Sequence, residues 1–198
     1  MGFELSPWHV LERYLNIISK NRRATDLRST PTQSVARQHI STSKMKIEIL
    51  RASKEDLYEI LDLQKVCYQE EGRLHDDFNI PPLTQTIESI EDEFEKGTLF
   101  LKALSENQLV GSVRGSIKDG TTNIGRLIVK PEFQNKKIGQ TLMNAIESQL
   151  NDCKRYELFT GFKSIKNLSL YGKLGYTEFK QQFIHDNLTL IYLEKKNT

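Results

Sequence analysis

The sequence predicts a mixed α/β fold of the α+β type, in which a mostly antiparallel sheet contains one parallel β-α-β crossover. Three consecutive strand-like segments are joined by short turn sequences, namely residues 98–105, 109–118 and 123–129. Asp119-Gly120, between the last two, is a strong hairpin signal. A long amphipathic helix pattern then leads to another apolar strand at 156–160, and such a crossover joins parallel strands.

The earlier part of this pattern is a strand followed by a helix. Residues 46–51 alternate between apolar and polar side chains, which predicts a strand. Ser53 and Asp56 have the spacing of a capping box, and the apolar face of the helix that follows runs from Leu57 to Cys67. We interpret the segment around Pro81-Pro82 as a loop.

The later helices are predicted by apolar spacing and by their end signals. Residues 86–96 carry apolar side chains on one helical face, and Gly97 ends that helix. Pro131 closes the third strand, and the crossover helix follows from Ile138 to Leu150. The last predicted elements are a helix at 164–174, closed by Gly175, and a hairpin of strands 177–184 and 188–194.

Composition excludes several classes of protein. The chain of 198 residues is 37% apolar and 27% charged, which is typical of a globular protein. No segment approaches the roughly 18 uncharged apolar residues of a membrane span, so we expect no membrane partner. The two cysteines are too few for a disulfide framework, and the four histidines lack metal-ligand spacing, so we expect no metal.

Residues 1–44 differ from the rest and predict an extension ahead of a domain at 45–198. They hold 7 Lys and Arg against 3 Asp and Glu, whereas the remainder holds 21 against 23. A short amphipathic helix pattern is followed by a Ser/Thr/Arg-rich linker. One interpretation is an extension or a misassigned start; the domain then begins at Met45 and the protein is cytoplasmic. The other is an organellar targeting segment. Glu4, Glu12 and Asp26 argue against targeting.

A candidate anion site lies where the third strand leads into the crossover helix. A helix start presents free backbone N–H groups and the positive end of the helix dipole, and two lysines here suit phosphate or pyrophosphate. The residues of this site are Gln134, Asn135, Lys136, Lys137, Ile138, Gly139 and Gln140. The alternative is a solvated helix start with its lysines in water.

At these residues the sequence resembles the GNAT superfamily of acetyl-CoA-dependent N-acetyltransferases, whose cofactor loop has the pattern R/Q-x-x-G-x-G/A after a strand. Gln134 fills the first position and Gly139 the last, while Lys137 stands where the first glycine is usual. Residues 164–176 are similar to the family's Asn-containing helix, which ends in Tyr-x-Lys-x-Gly-Phe/Tyr and places its tyrosine at Tyr171. The resemblance covers roughly residues 46–195.

The resemblance implies a GNAT-like sheet splayed around acetyl-CoA, with no metal. Backbone groups of Leu127, Ile128 and Val129 would hold the pantetheine, and Gln134 to Gln140 the pyrophosphate. Ser164 stands where many members carry an asparagine, and Asn167 is the asparagine of this helix; both complete the cofactor site with Tyr171. Tyr171 would also act as general acid, although its helical spacing suits a core residue as well.

The general base is not fixed by a motif. Glu70 and Glu71 are candidates because amine-binding loops of this fold lie there, and we select Glu71 as the catalytic residue; the alternative is two solvated carboxylates. The expected activity is transfer of acetyl to a primary amine of a small molecule or peptide, by direct attack in a ternary complex. A catalytically silent acyl-CoA-binding regulatory module is the alternative.

A third hypothesis is a nucleic-acid-associated protein that uses the basic segment 1–44. We expect no nucleic-acid partner, because residues 45–198 are slightly acidic and carry no nucleic-acid-reading motif. The sequence does not determine the oligomeric state, and a homodimer is left open. The identity of the amine is also left open.

Overall fold

A computed structural model describes residues 46–198 as seven strands and five helices. The strands form one sheet in the order β1-β2-β3-β4-β5-β7-β6. They are β1 (Ile47–Arg51), β2 (Leu99–Ser105), β3 (Gln108–Lys118), β4 (Thr121–Val129), β5 (Arg155–Gly161), β6 (Thr177–His185) and β7 (Leu188–Lys196). All neighbours pair antiparallel except β4 and β5, which are parallel, so the predicted mixed fold is confirmed.

The helices follow their local signals closely. They are α1 (Leu57–His75), α2 (Pro81–Thr84), α3 (Ile87–Glu95), α4 (Ile138–Gln149) and α5 (Ile165–Lys173). The Ser53 N–H donates to the Asp56 carboxylate at 2.8 Å, as the predicted capping box requires. The Pro-Pro pair begins the one-turn α2, where a missing N–H costs nothing, instead of interrupting a loop.

Two apolar clusters cover the two faces of the sheet. Alternation along β2 sends Leu99, Leu101 and Ala103 into the cluster that includes residues of α4 and α5, and Phe100 into the cluster beneath α1 and α3. Strand β3, in the middle, is buried over most of its length. Within the part of the chain that the structure describes, no helix combines the length and the hydropathy needed to cross a membrane. The helix and linker predicted within residues 1–44 lie outside the described residues.

Two irregularities in β4 position the site. First, β4 pairs with β5 over three positions, Thr121–Asn123 with Arg155–Glu157, and the strands then part. Second, the register with β3 jumps between Ser112 and Arg114, so that Arg126 and Leu127 form a bulge. A gap therefore opens in the sheet beside a kinked strand.

Candidate active site

The β4 edge of the gap offers backbone groups to a ligand. The Lys130 N–H donates to the Val110 carbonyl of β3 at 2.8 Å, so the backbone of Val129, one residue earlier, turns away from β3. The Val129 carbonyl accepts a hydrogen bond from Gln134 Nε2 at 3.1 Å. Leu127 and Val129 place their side chains toward the α4/α5 face, whereas Ile128 is buried under α1. Ile128 therefore contributes packing, and Val129 a backbone N–H that faces the gap.

The loop before α4 and the first turn of that helix present six consecutive backbone N–H groups. These belong to residues 135–140, and within residues 46–198 none of them has a hydrogen-bond acceptor. Asn135 and Lys137 adopt positive φ angles of 59° and 65°, which turn successive amides toward one side. Such a group of amides at a helix N-terminus suits a phosphate.

The side chains of this loop have different surroundings. Asn135, Lys136, Lys137 and Gln140 are exposed, and the Lys136 ammonium lies 4.9 Å from the centre of the Phe133 ring. Ile138 is buried in the core, so it can offer a ligand its backbone N–H alone. A Cβ added to Gly139 would lie 3.5 Å from Leu170 and 3.8 Å from Leu127 and Val129. Gly139 therefore faces the same gap as the end of β4.

Tyr171, on α5, is buried in the cluster on the α4/α5 face. Its ring lies 6.0 Å from that of Tyr176. Burial raises the pKa of the Tyr171 phenol above its ordinary value, and the nearby Tyr68 and Glu71 raise it further. Within residues 46–198 the hydroxyl has no hydrogen-bond partner. The phenol is therefore protonated, and its O–H group donates to no acceptor within residues 46–198.

Glu71, near the end of α1, is the centre of a polar cluster that joins α1 to α5. Its Oε2 accepts a hydrogen bond from the Ser164 hydroxyl at 2.6 Å, and its Oε1 accepts one from Asn167 Nδ2 at 3.3 Å. The same amide donates to the Thr160 hydroxyl at the end of β5. The structure thus brings together three predicted site residues, whereas Glu70 is exposed and pairs with Lys166 at 3.3 Å.

His75 supports Glu71 from one turn further along α1. Its Nε2 lies 3.5 Å from Glu71 Oε2, and its Nδ1 lies 2.8 Å from the backbone carbonyl of Asn187. The ring packs directly on Gly161, where an added Cβ would collide with it. His75 is not among the predicted site residues, although the Glu-x-x-x-His spacing on a helix was a signal that could have identified it.

The two groups of this pair shift their pKa values in opposite directions. Burial raises the pKa of Glu71, but His75 and the Ser164 hydroxyl outweigh it, so the net shift is downward. Burial lowers the pKa of His75, but Glu71 and the Asn187 carbonyl outweigh it, so the net shift is upward. Glu71 is therefore a fixed anion at neutral pH.

A second group of residues on the α1 side of the gap was also missed. Tyr68 is one turn before Glu71 on α1, and the guanidinium carbon of Arg126 lies 5.8 Å from the centre of its ring. Burial raises the pKa of Tyr68, although the charge of Arg126 acts to lower it. Nothing in the local sequence marks Arg126, because the bulge that turns it toward α1 depends on the pairing of β4 with β3.

The Cys67 thiol, on α1 beside Tyr68, lies close to the backbone N–H of Val129. Burial raises the pKa of the Cys67 thiol to about 11, so it is not ionised at neutral pH. Among residues 46–198, no three His, Cys, Asp or Glu side chains are grouped so as to hold a metal ion.

Among the comparisons with known proteins, the match to a family model shows the family. Residues 68–197 match the acetyltransferase (GNAT) domain. The comparison with curated proteins finds no significant match. Many solved structures are similar, and those considered below share less than a quarter of their residues with this chain, so they show the fold alone.

Three of these structures illustrate the likeness. The PaiA N-acetyltransferase of Thermoplasma acidophilum in complex with coenzyme A is 23% identical, with a TM-score of 0.61, over 77% of this chain and 99% of that one. The ribosomal-protein-S18-alanine N-acetyltransferase of Escherichia coli is 11% identical, with a TM-score of 0.64, over 77% and 95%. yncA of Salmonella typhimurium with its cofactor acetyl-CoA is 16% identical, with a TM-score of 0.60, over 79% and 95%.

Proposed function

This chain belongs to the acetyltransferase (GNAT) domain family, and from that premise we propose that it transfers the acetyl group of acetyl-CoA to a primary amine of a small molecule or peptide. One observation carries the proposal. The predicted Glu71, Ser164, Asn167 and Tyr171, from two helices far apart in sequence, gather at the place where β4 and β5 part.

The residues along the gap fit the donor. Acetyl-CoA, when bound, supplies the acetyl group as a thioester. The six free N–H groups of residues 135–140 would hold its pyrophosphate, with Lys136 and Lys137 adding positive charge at the rim. The Val129 N–H would bind the pantetheine arm or polarise the acetyl carbonyl.

Tyr171 would hold the proton that the leaving sulfur needs. In direct attack the amine nitrogen forms a bond to the acetyl carbon while the carbon–sulfur bond breaks, and the sulfur keeps that electron pair. The nitrogen loses one proton as it becomes an amide, and this proton, passed through water, restores the phenol of Tyr171 after it has protonated the sulfur. The phenol of Tyr171 is protonated at neutral pH, since the ordinary pKa of a phenol is about 10 and burial raises it further here. Its hydroxyl has no other acceptor within residues 46–198, so it is free to donate to the sulfur.

Glu71 would receive the incoming amine. A carboxylate that stays ionised attracts the ammonium form of the acceptor, and its hydrogen bonds from Ser164 and Asn167 fix its orientation. The lowered pKa makes Glu71 a weak proton acceptor, so the proton lost by the ammonium passes from Glu71 to water. The amine then attacks in its neutral form.

The test is release of free CoA thiol from acetyl-CoA across a panel of polyamines, aminoglycosides, amino acids and peptides. We expect amine-dependent release, and we expect Gly139→Asp to raise the KM for acetyl-CoA by at least about tenfold, because a carboxylate there repels the pyrophosphate. Gly139→Ala is the matched control, since its Cβ meets only ordinary contacts. Saturable binding of acetyl-CoA without thiol release from any amine would instead support a silent acyl-CoA-binding module.

A further inference from the structure

Arg126 occupies a costly backbone position at the edge of the gap. Its φ of 52° lies in the left-handed region, within the bulge of β4. Glycine or asparagine would adopt this conformation with less strain, so the backbone at this position does not itself favour an arginine. Strain of this kind is concentrated at functional sites.

The Arg126 guanidinium lacks an acidic partner in the part of the chain that the structure describes. Its buried Nε donates no hydrogen bond within residues 46–198. The guanidinium carbon lies 5.8 Å from the centre of the Tyr68 ring, and the Tyr68 hydroxyl is the polar group beside it. A buried donor on a permanent cation is costly when it has no acceptor, so an anion that accepts a hydrogen bond from Nε would stabilise this half-buried side chain.

Arg114, on the neighbouring strand, has the carboxylate partner that Arg126 lacks, although its own Nη1 is also buried without a hydrogen bond within residues 46–198. Its Nε lies 3.1 Å from a Glu93 carboxylate oxygen, and its Nη2 donates to Gln85 Oε1 at 3.0 Å. Burial lowers the pKa of Arg114 to about 10, and the charge of Arg126 acts in the same direction. Glu93 therefore balances the charge of Arg114, and the positive charge of Arg126 on β4 has no carboxylate to balance it within residues 46–198.

A negative charge, that of Glu71, lies one helical turn from Tyr68 on α1. Tyr68 and Glu71 are three residues apart on α1, so they share a face, and the charges of Glu71 and Arg126 act on the Tyr68 phenol with opposite signs. Glu71 would attract an ammonium group and Arg126 an anion, and the Tyr68 phenol is close enough to both to feel their charges. A small molecule with both groups matches both charges.

The geometry points to an acceptor that is an amino carboxylate, such as an α-amino acid, whose carboxylate is held by the Arg126 guanidinium and whose amine is held at Glu71. This inference rests on the proposed function and names its substrate class. The planar guanidinium suits a carboxylate, because two parallel hydrogen bonds can form. Polyamines are disfavoured, because their second ammonium group would face Arg126 instead of an anion.

The experiment compares α-amino acids with their amides, and with spermidine, in the CoA-release assay. Rates are normalised to the concentration of neutral amine, because an amide substituent lowers the pKa of the amine. We expect the amino acids to exceed their amides in kcat/KM by at least about tenfold, as loss of a charge-assisted hydrogen bond implies. Arg126→Asn should bring that ratio close to one while the KM for acetyl-CoA stays unchanged, and Arg126→Lys should give an intermediate ratio.

Asparagine tolerates the positive φ, so Arg126→Asn is expected to fold, and its melting temperature is measured alongside. Arg51→Gln, an exposed arginine on β1, is the control and should keep the wild-type ratio. Equal use of acids and amides, preference for spermidine, or a ratio that Arg126→Asn leaves unchanged would overturn the amino carboxylate assignment alone. Failure of every amine tested to stimulate CoA release would instead refute the proposed function, and this inference with it.

Discussion

At the scale of single residues, Tyr171 is the side chain that separates an enzyme from a silent binding module. Its hydroxyl is the group proposed to protonate the leaving sulfur, and Tyr171→Phe deletes that group while keeping the ring. We expect kcat to fall roughly 10–100-fold, the lower part of the range for general acid catalysis, because CoA thiolate is a fairly good leaving group. The KM for acetyl-CoA should change much less.

Melting temperature measured on the same Tyr171→Phe protein serves as the control. The hydroxyl has no partner within residues 46–198, so its removal leaves no described group unpaired, and stability should be nearly unchanged. Wild-type turnover together with lowered stability would show that Tyr171 is only a core residue.

Glu71 and His75 form a pair whose contribution to stability depends on pH. The pKa of Glu71 is lowered from 4.5, so its contribution is present above about pH 4.5 and is lost as pH falls through the folded value. The pKa of His75 is raised from 6.5, so its contribution is present below about pH 6.5 and is lost as pH rises through the folded value. The pair stabilises most between these limits.

We therefore expect the difference in melting temperature between wild type and Glu71→Gln to be largest near about pH 5.5 and to shrink by about pH 9. Part of the difference should persist at high pH, because Ser164 and Asn167 do not titrate and still donate to Glu71. Glu70→Gln, which alters an exposed neighbour, should show little effect at any pH. A difference that grows between about pH 6.5 and pH 9 would contradict the assigned direction of the His75 shift.

At the scale of elements, the start of α4 carries backbone strain that a substitution can relieve. Lys137 adopts a φ of 65° immediately before the helix, a conformation that costs a residue with a Cβ roughly 1–2 kcal/mol. Lys137→Gly removes this strain but adds chain entropy to the unfolded state. We expect a net gain of about 0.5–1 kcal/mol, measured as a rise of about 1–4 °C in melting temperature.

Lys136→Gly is the matched control. It removes the same charge from the same loop, at a residue whose φ angle is not positive. It should lower the melting temperature, since flexibility is added without relief of strain. Both variants should weaken acetyl-CoA binding to a similar, modest degree if the lysines act through charge. Equal changes in stability for the two variants would show that the backbone at Lys137 is not strained.

At the scale of the whole molecule, residues 46–198 form a sheet with apolar clusters on both faces. The composition changes near Met45, and the pattern of strands and helices is complete after it. We therefore expect a protein that begins at Met45 to melt within about 3 °C of the full chain, a difference of about 1 kcal/mol or less, and to bind acetyl-CoA as tightly. Differential scanning calorimetry and titration of acetyl-CoA on both proteins check this.

The order and type of the described elements follow from the sequence, because their signals are local. Alternation predicts β1, Asp119-Gly120 predicts the turn between β3 and β4, and Gly175 predicts the end of the last helix. The resemblance identified Tyr171 and the loop at 134–140 through short motifs. Such a motif consists of residues close together in the sequence, so it too is a local signal. The continuation of α1 to His75 was not predicted, because its last turns carry no regular apolar spacing.

Tertiary structure decided which of these residues meet. Glu71 bonds to Ser164 and Asn167 across 93 and 96 positions of the chain, and no local pattern encodes a contact over such separations. The place of β7 between β5 and β6, and the bulge that presents Arg126, depend on strand pairing in the same way. Local sequence therefore determined the elements and the chemistry available at their ends, while pairing and packing between distant segments determined the charges that surround the gap.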